Sequence, residues 1–154
     1  MAIKSPIGVA FLGLGRMGET HLRNLLGLPG VNVVVVADPR LEAAEHGKAL
    51  AGAEEATTDV ERAINSPSVD AVVIVTPTNT HARLLEVAAK AGKAAFTEKP
   101  IALDLAETAR VVDLIRAAGI PVQLGFMRRF DPGYARQAKD RHGRVGSDRT
   151  FSGP

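Results

Sequence analysis

One short segment constrains the fold of this chain more than any other: Gly13-Leu14-Gly15-Arg16-Met17-Gly18. It follows an apolar run over 7–12 and opens a helical pattern, and Asp38 comes twenty residues after its last glycine. A G-x-G-x-x-G turn between a strand and a helix, with an acid at that distance, is typical of a dinucleotide-binding βαβ unit. The spacing therefore predicts a turn whose backbone approaches a pyrophosphate at the N-terminus of the following helix.

The rest of the chain alternates apolar runs with helical patterns. The runs predict six strands, at about 7–12, 31–37, 54–57, 70–75, 93–97 and 121–126. Helices are predicted at about 16–28, 40–51, 59–65, 80–91 and 104–118, and Asp59 and Asp104 are expected to cap two of them. Such alternation predicts a doubly wound α/β fold of three layers with a parallel sheet of order 3-2-1-4-5-6. We expect one domain over 1–131, and we expect 132–154 to begin a second, substrate domain.

Composition excludes several classes of protein. The chain has 154 residues, of which 45% are hydrophobic and 23% charged, as in ordinary globular domains. It has no cysteine, which excludes disulfides and thiolate metal sites, and no His/Asp cluster has metal-ligand spacing. The longest apolar run is far shorter than a membrane span, and the first residues do not resemble a signal peptide. We expect a cytoplasmic protein that binds neither a membrane nor a metal.

The charge is unevenly distributed. Residues 1–127 carry 12 Lys and Arg against 14 Asp and Glu, whereas 128–149 carry 7 against 3. A basic tail can bind nucleic acid, but this one lacks interleaved aromatic residues and any reader motif. We interpret it as a solvated segment and expect no nucleic-acid partner.

Polar residues follow the predicted strands, where open α/β sheets bind their ligands. After the second strand comes Asp38-Pro39-Arg40, in which the carboxylate of Asp38 is expected to accept the adenosine ribose hydroxyls and so to favour NAD. Arg40 leaves NADP open, because it can pair with the extra phosphate. Asp38 can also cap the following helix, which is the alternative interpretation.

Two further segments follow later strands. The first is Thr76-Pro77-Thr78-Asn79-Thr80-His81, where the riboses would pass, although Thr78 or Thr80 could serve only as a helix cap. The second is Glu98-Lys99-Pro100, a charged pair at the end of a strand, where an X-Pro bond also allows a cis peptide.

Taken together, these motifs resemble the glucose–fructose oxidoreductase / inositol dehydrogenase / rhizopine-catabolism (Gfo/Idh/MocA) family, over about residues 7–134. The distinctive part is Glu98-Lys99-Pro100 in register with the glycine fingerprint, and the run 125–131 is most similar to myo-inositol 2-dehydrogenase-like members. The resemblance implies an NAD-dependent oxidoreductase that acts on CH-OH groups of a sugar or polyol.

The resemblance also implies roles for individual residues. The residues expected to contact the cofactor are Gly13, Leu14, Gly15, Arg16, Met17, Gly18, Asp38, Pro39, Arg40, Thr76, Pro77, Thr78, Asn79, His81, Glu98, Lys99 and Arg128. Lys99 is the one residue expected to be catalytic, as the group that orients substrate and handles a proton. His21 is interpreted as a packed residue of the first helix, and His46 as an exposed one.

The resemblance is incomplete in one respect. Full-length relatives carry a second domain whose Asp and His complete the proton relay, and no Asp-x-x-x-His element is found here. Two functions therefore stay open: an oxidoreductase of which this is the cofactor domain, and a stand-alone NAD(H)-binding module without turnover. A different adenosine ligand, such as a methyl donor, would leave Glu98-Lys99-Pro100 without a purpose. We also expect a homo-oligomer, because the surface facing a second domain should be apolar.

Overall fold

The computed structural model describes residues 6–127 and 131–133, and its strands and helices follow the predicted alternation. The six strands are β1 (Ile7–Leu12), β2 (Val31–Ala37), β3 (Glu55–Thr57), β4 (Ala71–Ile74), β5 (Ala94–Glu98) and β6 (Val122–Gly125). The five helices are α1 (Arg16–Leu26), α2 (Leu41–Ala51), α3 (Val60–Asn65), α4 (Thr78–Lys90) and α5 (Leu105–Ala118). All pairings are parallel, and the order is β3-β2-β1-β4-β5-β6, as predicted.

The sheet has a separate apolar core on each face, because neighbouring side chains of a strand point to opposite sides. In β1, Val9 and Phe11 pack with Leu22 of α1, whereas Ala10 and Leu12 belong to the core on the other face. That second core also contains residues of α3, α4 and α5, namely Ile64, Leu84, Leu85 and Val111. The result is the three-layer arrangement that the sequence predicted.

Element ends differ from the prediction by a few residues, with local causes. The first helix ends at Leu26 rather than near 28, because the chain tightens there: the N–H of Gly27 donates to the carbonyl of Asn24, and the N–H of Leu28 donates to the carbonyl of Leu25. Asp59 and Asp104 cap α3 and α5 as predicted, accepting hydrogen bonds from the backbone N–H of Arg62 and Glu107. A shift of the same size is found in α4, which starts at Thr78 and not near 80.

None of the helices in the described part of the chain combines the length and the apolar character that a membrane crossing requires. Because parallel strands all end on one side, the segments after β1, β2, β4 and β5 meet at the same edge of the sheet. We call this the carboxyl edge.

Candidate functional site

The turn between β1 and α1 is built by close backbone approaches. Gly13 has φ +98°, and a Cβ added there would lie 2.6 Å from the carbonyl oxygen of Val75. A Cβ at Gly18 would lie only 2.0 Å from the carbonyl oxygen of Gly13. The first and last glycines are therefore required by the protein's own packing. A Cβ at Gly15, in contrast, would meet no atom within 4 Å, so this glycine leaves open space at the turn.

The first turn of α1 faces that open space. Gly15 precedes the helix and offers no side-chain hydrogen bond to it, so the first backbone N–H groups are available to an anion. A groove of about 460 Å³ lies here. It brings together most of the residues predicted for the cofactor, together with Val75: Gly13, Gly15, Arg16, Met17, Gly18, Asp38, Pro39, Arg40, Thr76 and Pro77.

Leu14 contributes its backbone rather than its side chain. The side chain of Leu14 is buried in the core beside Gly47, whereas its backbone N–H donates to Oδ2 of Asp38 at 2.7 Å. The other carboxylate oxygen of Asp38 accepts from the backbone N–H of Arg40 at 3.0 Å. Asp38 is only 4% exposed. A carboxylate oxygen can accept more than one hydrogen bond, so Asp38 retains acceptor capacity for ribose hydroxyls.

Asp38 is not the residue that caps α2. Arg40 occupies the position before the helix, and it forms no side-chain cap. Its guanidinium Nε lies 3.4 Å from Oδ1 of Asp38, and the side chain is 69% exposed. This places a cation on the solvent side of Asp38, where it can reach a phosphate.

The Thr76–His81 segment departs from the prediction. Pro77 is the residue before α4, and Thr78 is already helical, so neither Thr78 nor Thr80 caps the helix by its side chain. The hydroxyl of Thr80 instead donates to the carbonyl of Pro77 at 2.7 Å and lies 2.6 Å from the hydroxyl of Thr76. Proline accounts for the early start, because its fixed φ suits the entry to a helix.

The expectation that His81 lines the groove is wrong. The residue is 1% exposed, and its ring nitrogens face two main-chain carbonyls. Nδ1 lies 2.9 Å from the carbonyl oxygen of Pro100, and Nε2 lies 2.8 Å from that of Thr76. Carbonyls only accept, so the neutral ring donates to one of them and the imidazolium to both. His81 links the chain after β4 to the chain after β5.

Glu98 is the last residue of β5, and Lys99 and Pro100 follow it at the carboxyl edge, where the Lys99-Pro100 peptide is cis. Lys99 is exposed, and it makes no hydrogen bond or ion pair with any residue in the described ranges. The carboxylate of Glu98 is held: its Oε1 lies 2.9 Å from Nε2 of His21. Sequence reasoning missed His21. The available signal was its place in the second turn of α1, close to the carboxyl edge.

Several predicted residues remain apart from the groove. Thr78, Asn79, Glu98 and Lys99 are not among its lining residues, although all lie at or just beyond strand ends on the same edge. Arg128 lies outside the described residues.

Comparison with known proteins identifies the family. The profile of the Gfo/Idh/MocA oxidoreductase family, described as an NAD-binding Rossmann fold, matches residues 7–126. The chain belongs to this family. It is 42% identical over 134 residues to scyllo-inositol 2-dehydrogenase (NAD(+)) of Bacillus subtilis. The matched region covers 86% of this chain and 39% of that protein. It is also 42% identical over 137 residues to inositol 2-dehydrogenase of Rhizobium meliloti, covering 88% and 41%.

A solved Gfo/Idh/MocA structure has the same fold. The scyllo-inositol dehydrogenase of Lactobacillus casei, determined with bound NAD(H) and scyllo-inositol, is similar with a TM-score of 0.81 and 33% identity. That match covers 92% of this chain and 42% of the other. The chain thus spans about two fifths of the length of the relatives it matches. The predicted family and the predicted NAD-binding Rossmann fold are confirmed.

The residues of this Gfo/Idh/MocA domain fit NAD. The open space at Gly15 and the uncapped start of α1 suit a pyrophosphate, which binds to free backbone N–H groups at a helix N-terminus. Asp38 follows β2 and lines the groove, at the position where this fold binds the adenosine ribose.

Proposed function

We propose that this chain is the cofactor domain of an NAD-dependent dehydrogenase that oxidises a hydroxyl carbon of a small cyclic polyol. The observation that carries the proposal is the pairing of two features on one edge: the groove at the glycine turn and the ammonium of Lys99, which has no partner among the described residues. The inositol specificity in the names of the relatives supports the substrate class. A small polyol is also the partner that we propose, rather than a nucleic acid.

When bound, NAD supplies the nicotinamide carbon that accepts hydride, and the chain supplies position and proton handling. In our proposal the first turn of α1 binds the pyrophosphate, and Asp38 and Arg40 hold the adenosine ribose. Thr76, Pro77, Thr78 and Asn79 lie along the riboses, with Arg128 beyond them. Lys99, two residues on from the buried Thr97, orients the substrate hydroxyl and donates a hydrogen bond to its oxygen.

The test has two stages. Purified protein is first titrated with NADH, and NAD reduction is then assayed with inositol stereoisomers. Binding followed by turnover that Lys99→Met abolishes supports the dehydrogenase. Lys90→Met is the matched control, since Lys90 is an exposed lysine at the end of α4. Failure to bind any dinucleotide would contradict the proposal altogether.

The second candidate is an NAD(H)-binding module without turnover. It is favoured by Lys99 itself, which has no carboxylate or imidazole partner among the described residues with which to relay a proton. NADH binding without polyol oxidation at any substrate concentration would support this function for the chain on its own.

We further propose that the protein self-associates in the cytoplasm. Large apolar side chains are exposed at or near the carboxyl edge, including Leu103 at 75% and Leu105 at 83%. Exposed apolar surface of this kind favours association. Size-exclusion chromatography with light scattering should show a species larger than 16.2 kDa, and a clean monomer would contradict this.

A further inference from the structure

A side-chain pair joins the helix that starts at the glycine turn to the end of β5. Nε2 of His21, in α1, lies 2.9 Å from Oε1 of Glu98, and the two side chains are 24% and 14% exposed. The imidazole also packs against Phe96, with ring centroids 5.6 Å apart and the planes inclined by 52°. His21 therefore contacts two residues of β5 that lie on the same face of the sheet.

The space around the Glu98 carboxylate is confined from the opposite side by β6. A Cβ added at Gly125 would lie 2.9 Å from Oε1 of Glu98 and 3.0 Å from Cζ of Phe96. Glu98 and Gly125 are direct neighbours in the pairing of β5 with β6. The carboxylate is thus placed between the main chain of β6 and a hydrogen-bond donor from α1, with little freedom to take another position.

We propose that His21 is a positioning residue: through Glu98 it fixes the Glu98-Lys99-Pro100 segment relative to the first turn of α1. This inference rests on the proposed function, in which that turn binds the pyrophosphate and Lys99 of the segment orients the substrate hydroxyl. His21 lies three residues beyond Gly18 on the same helix, so a single rigid element sets the distance between the two ends of the cofactor site. His21 itself does not touch the reacting atoms.

A packing role alone is the competing explanation. The contact with Phe96 is apolar, and leucine at position 21 would preserve most of it. Glutamine would place an amide N–H near the position of Nε2, so it keeps the donor to Glu98 while losing the ring. The two substitutions therefore separate hydrogen bonding from packing.

The experiment measures the dissociation constant for NADH in the whole chain. His21→Leu is expected to weaken binding about tenfold, the size of one hydrogen bond to a charged group, and His21→Gln to restore most of it. His46→Leu is the control, because His46 is a 61% exposed histidine on α2. The Glu98→Ala variant should lose similar affinity, and His21→Leu should cost nothing more in that background. Equal losses in both backgrounds would overturn the inference.

A second measurement does not depend on cofactor. In the cofactor-free protein, the backbone amide resonance of Lys99 should shift in His21→Leu and return toward its original position in His21→Gln. An unshifted Lys99 amide in His21→Leu would overturn the positioning role. If the wild-type protein bound no NADH, the proposed function would fail, and this amide measurement would still decide the role of His21.

Discussion

The glycine turn after β1 and the Glu98-Lys99-Pro100 segment at the end of β5 lie at the same edge of the sheet, but different interactions hold them. The turn is fixed by main-chain approaches: Gly13 N–H donates to the carbonyl of Ala37 at 2.8 Å, and α1 packs against Gly13 through Gly18. The segment after β5 is fixed by imidazoles from two helices, His21 on Glu98 and His81 on Pro100. The turn depends on glycines that lack a Cβ, so adding a methyl group should disrupt it. The segment depends on imidazole hydrogen bonds, so removing the donors should disrupt it.

The largest effect is expected at the turn. Gly18→Ala places a methyl group against the carbonyl of Gly13, and we expect the free energy of unfolding to fall by about 3 kcal/mol. Gly15→Ala is the matched variant, because its Cβ meets open space; it should lower stability by less than about 1 kcal/mol. Its methyl group occupies the space proposed for pyrophosphate, so NADH affinity should fall at least about tenfold. Urea unfolding and NADH titration measure both. Equal stability of the two variants would contradict the packing argument.

This contrast also explains which parts of the site could be predicted. The fingerprint is largely local: Gly18 packs against the carbonyl of Gly13 within the same turn, and Gly13 itself has a positive φ, so the spacing predicts the turn. The fold was equally accessible, because apolar alternation directly reports strands and helices. The hydrogen-bond partners of His21 and His81 could not be predicted, since they are 77 and 19 residues away in sequence. Nothing near His81 in the chain indicates that its ring faces two carbonyls rather than the groove.

The next effect concerns His81. His81→Leu removes the donor shared by the carbonyls of Thr76 and Pro100, and we expect stability to fall by about 2 kcal/mol. The backbone amide resonances of Lys99 and Ile101 should shift, while those of the glycine turn stay unchanged. His46→Leu provides the control for loss of an exposed imidazole. A shift at Gly13 as well would show that the two regions are not held independently.

A smaller effect tests the electrostatics of the turn. Asp38→Asn retains an oxygen that accepts from the N–H of Leu14 but removes the negative charge that we propose to face the 2′ position of the ribose. We expect the preference for NAD over NADP to fall about tenfold, with Arg40 then free to pair with the phosphate. Competitive titration with the two cofactors measures this. A parallel loss of affinity for both would show that Asp38 acts only by holding Leu14.

The smallest effect is expected at an ion pair remote from both regions, and it calibrates the others. Arg110 of α5 donates a hydrogen bond to Glu86 of α4 and, together with its charge, lowers the pKa of that carboxyl below the ordinary 4.5. A carboxyl whose pKa is lowered by folding stabilises the fold at pH values above its ordinary pKa. This contribution is lost as the pH falls through the folded-state pKa. Because Arg110 is 53% exposed, solvent screening keeps this contribution small. In urea unfolding, Glu86→Gln should therefore be slightly less stable than the wild type at neutral pH, with a smaller difference at about pH 4.

The affinity of the Glu86→Gln variant for NADH should be unchanged. A change in affinity as large as that of His21→Leu would mean that any loss of an interhelical charge pair disturbs the carboxyl edge, and the special position of His21 would be lost.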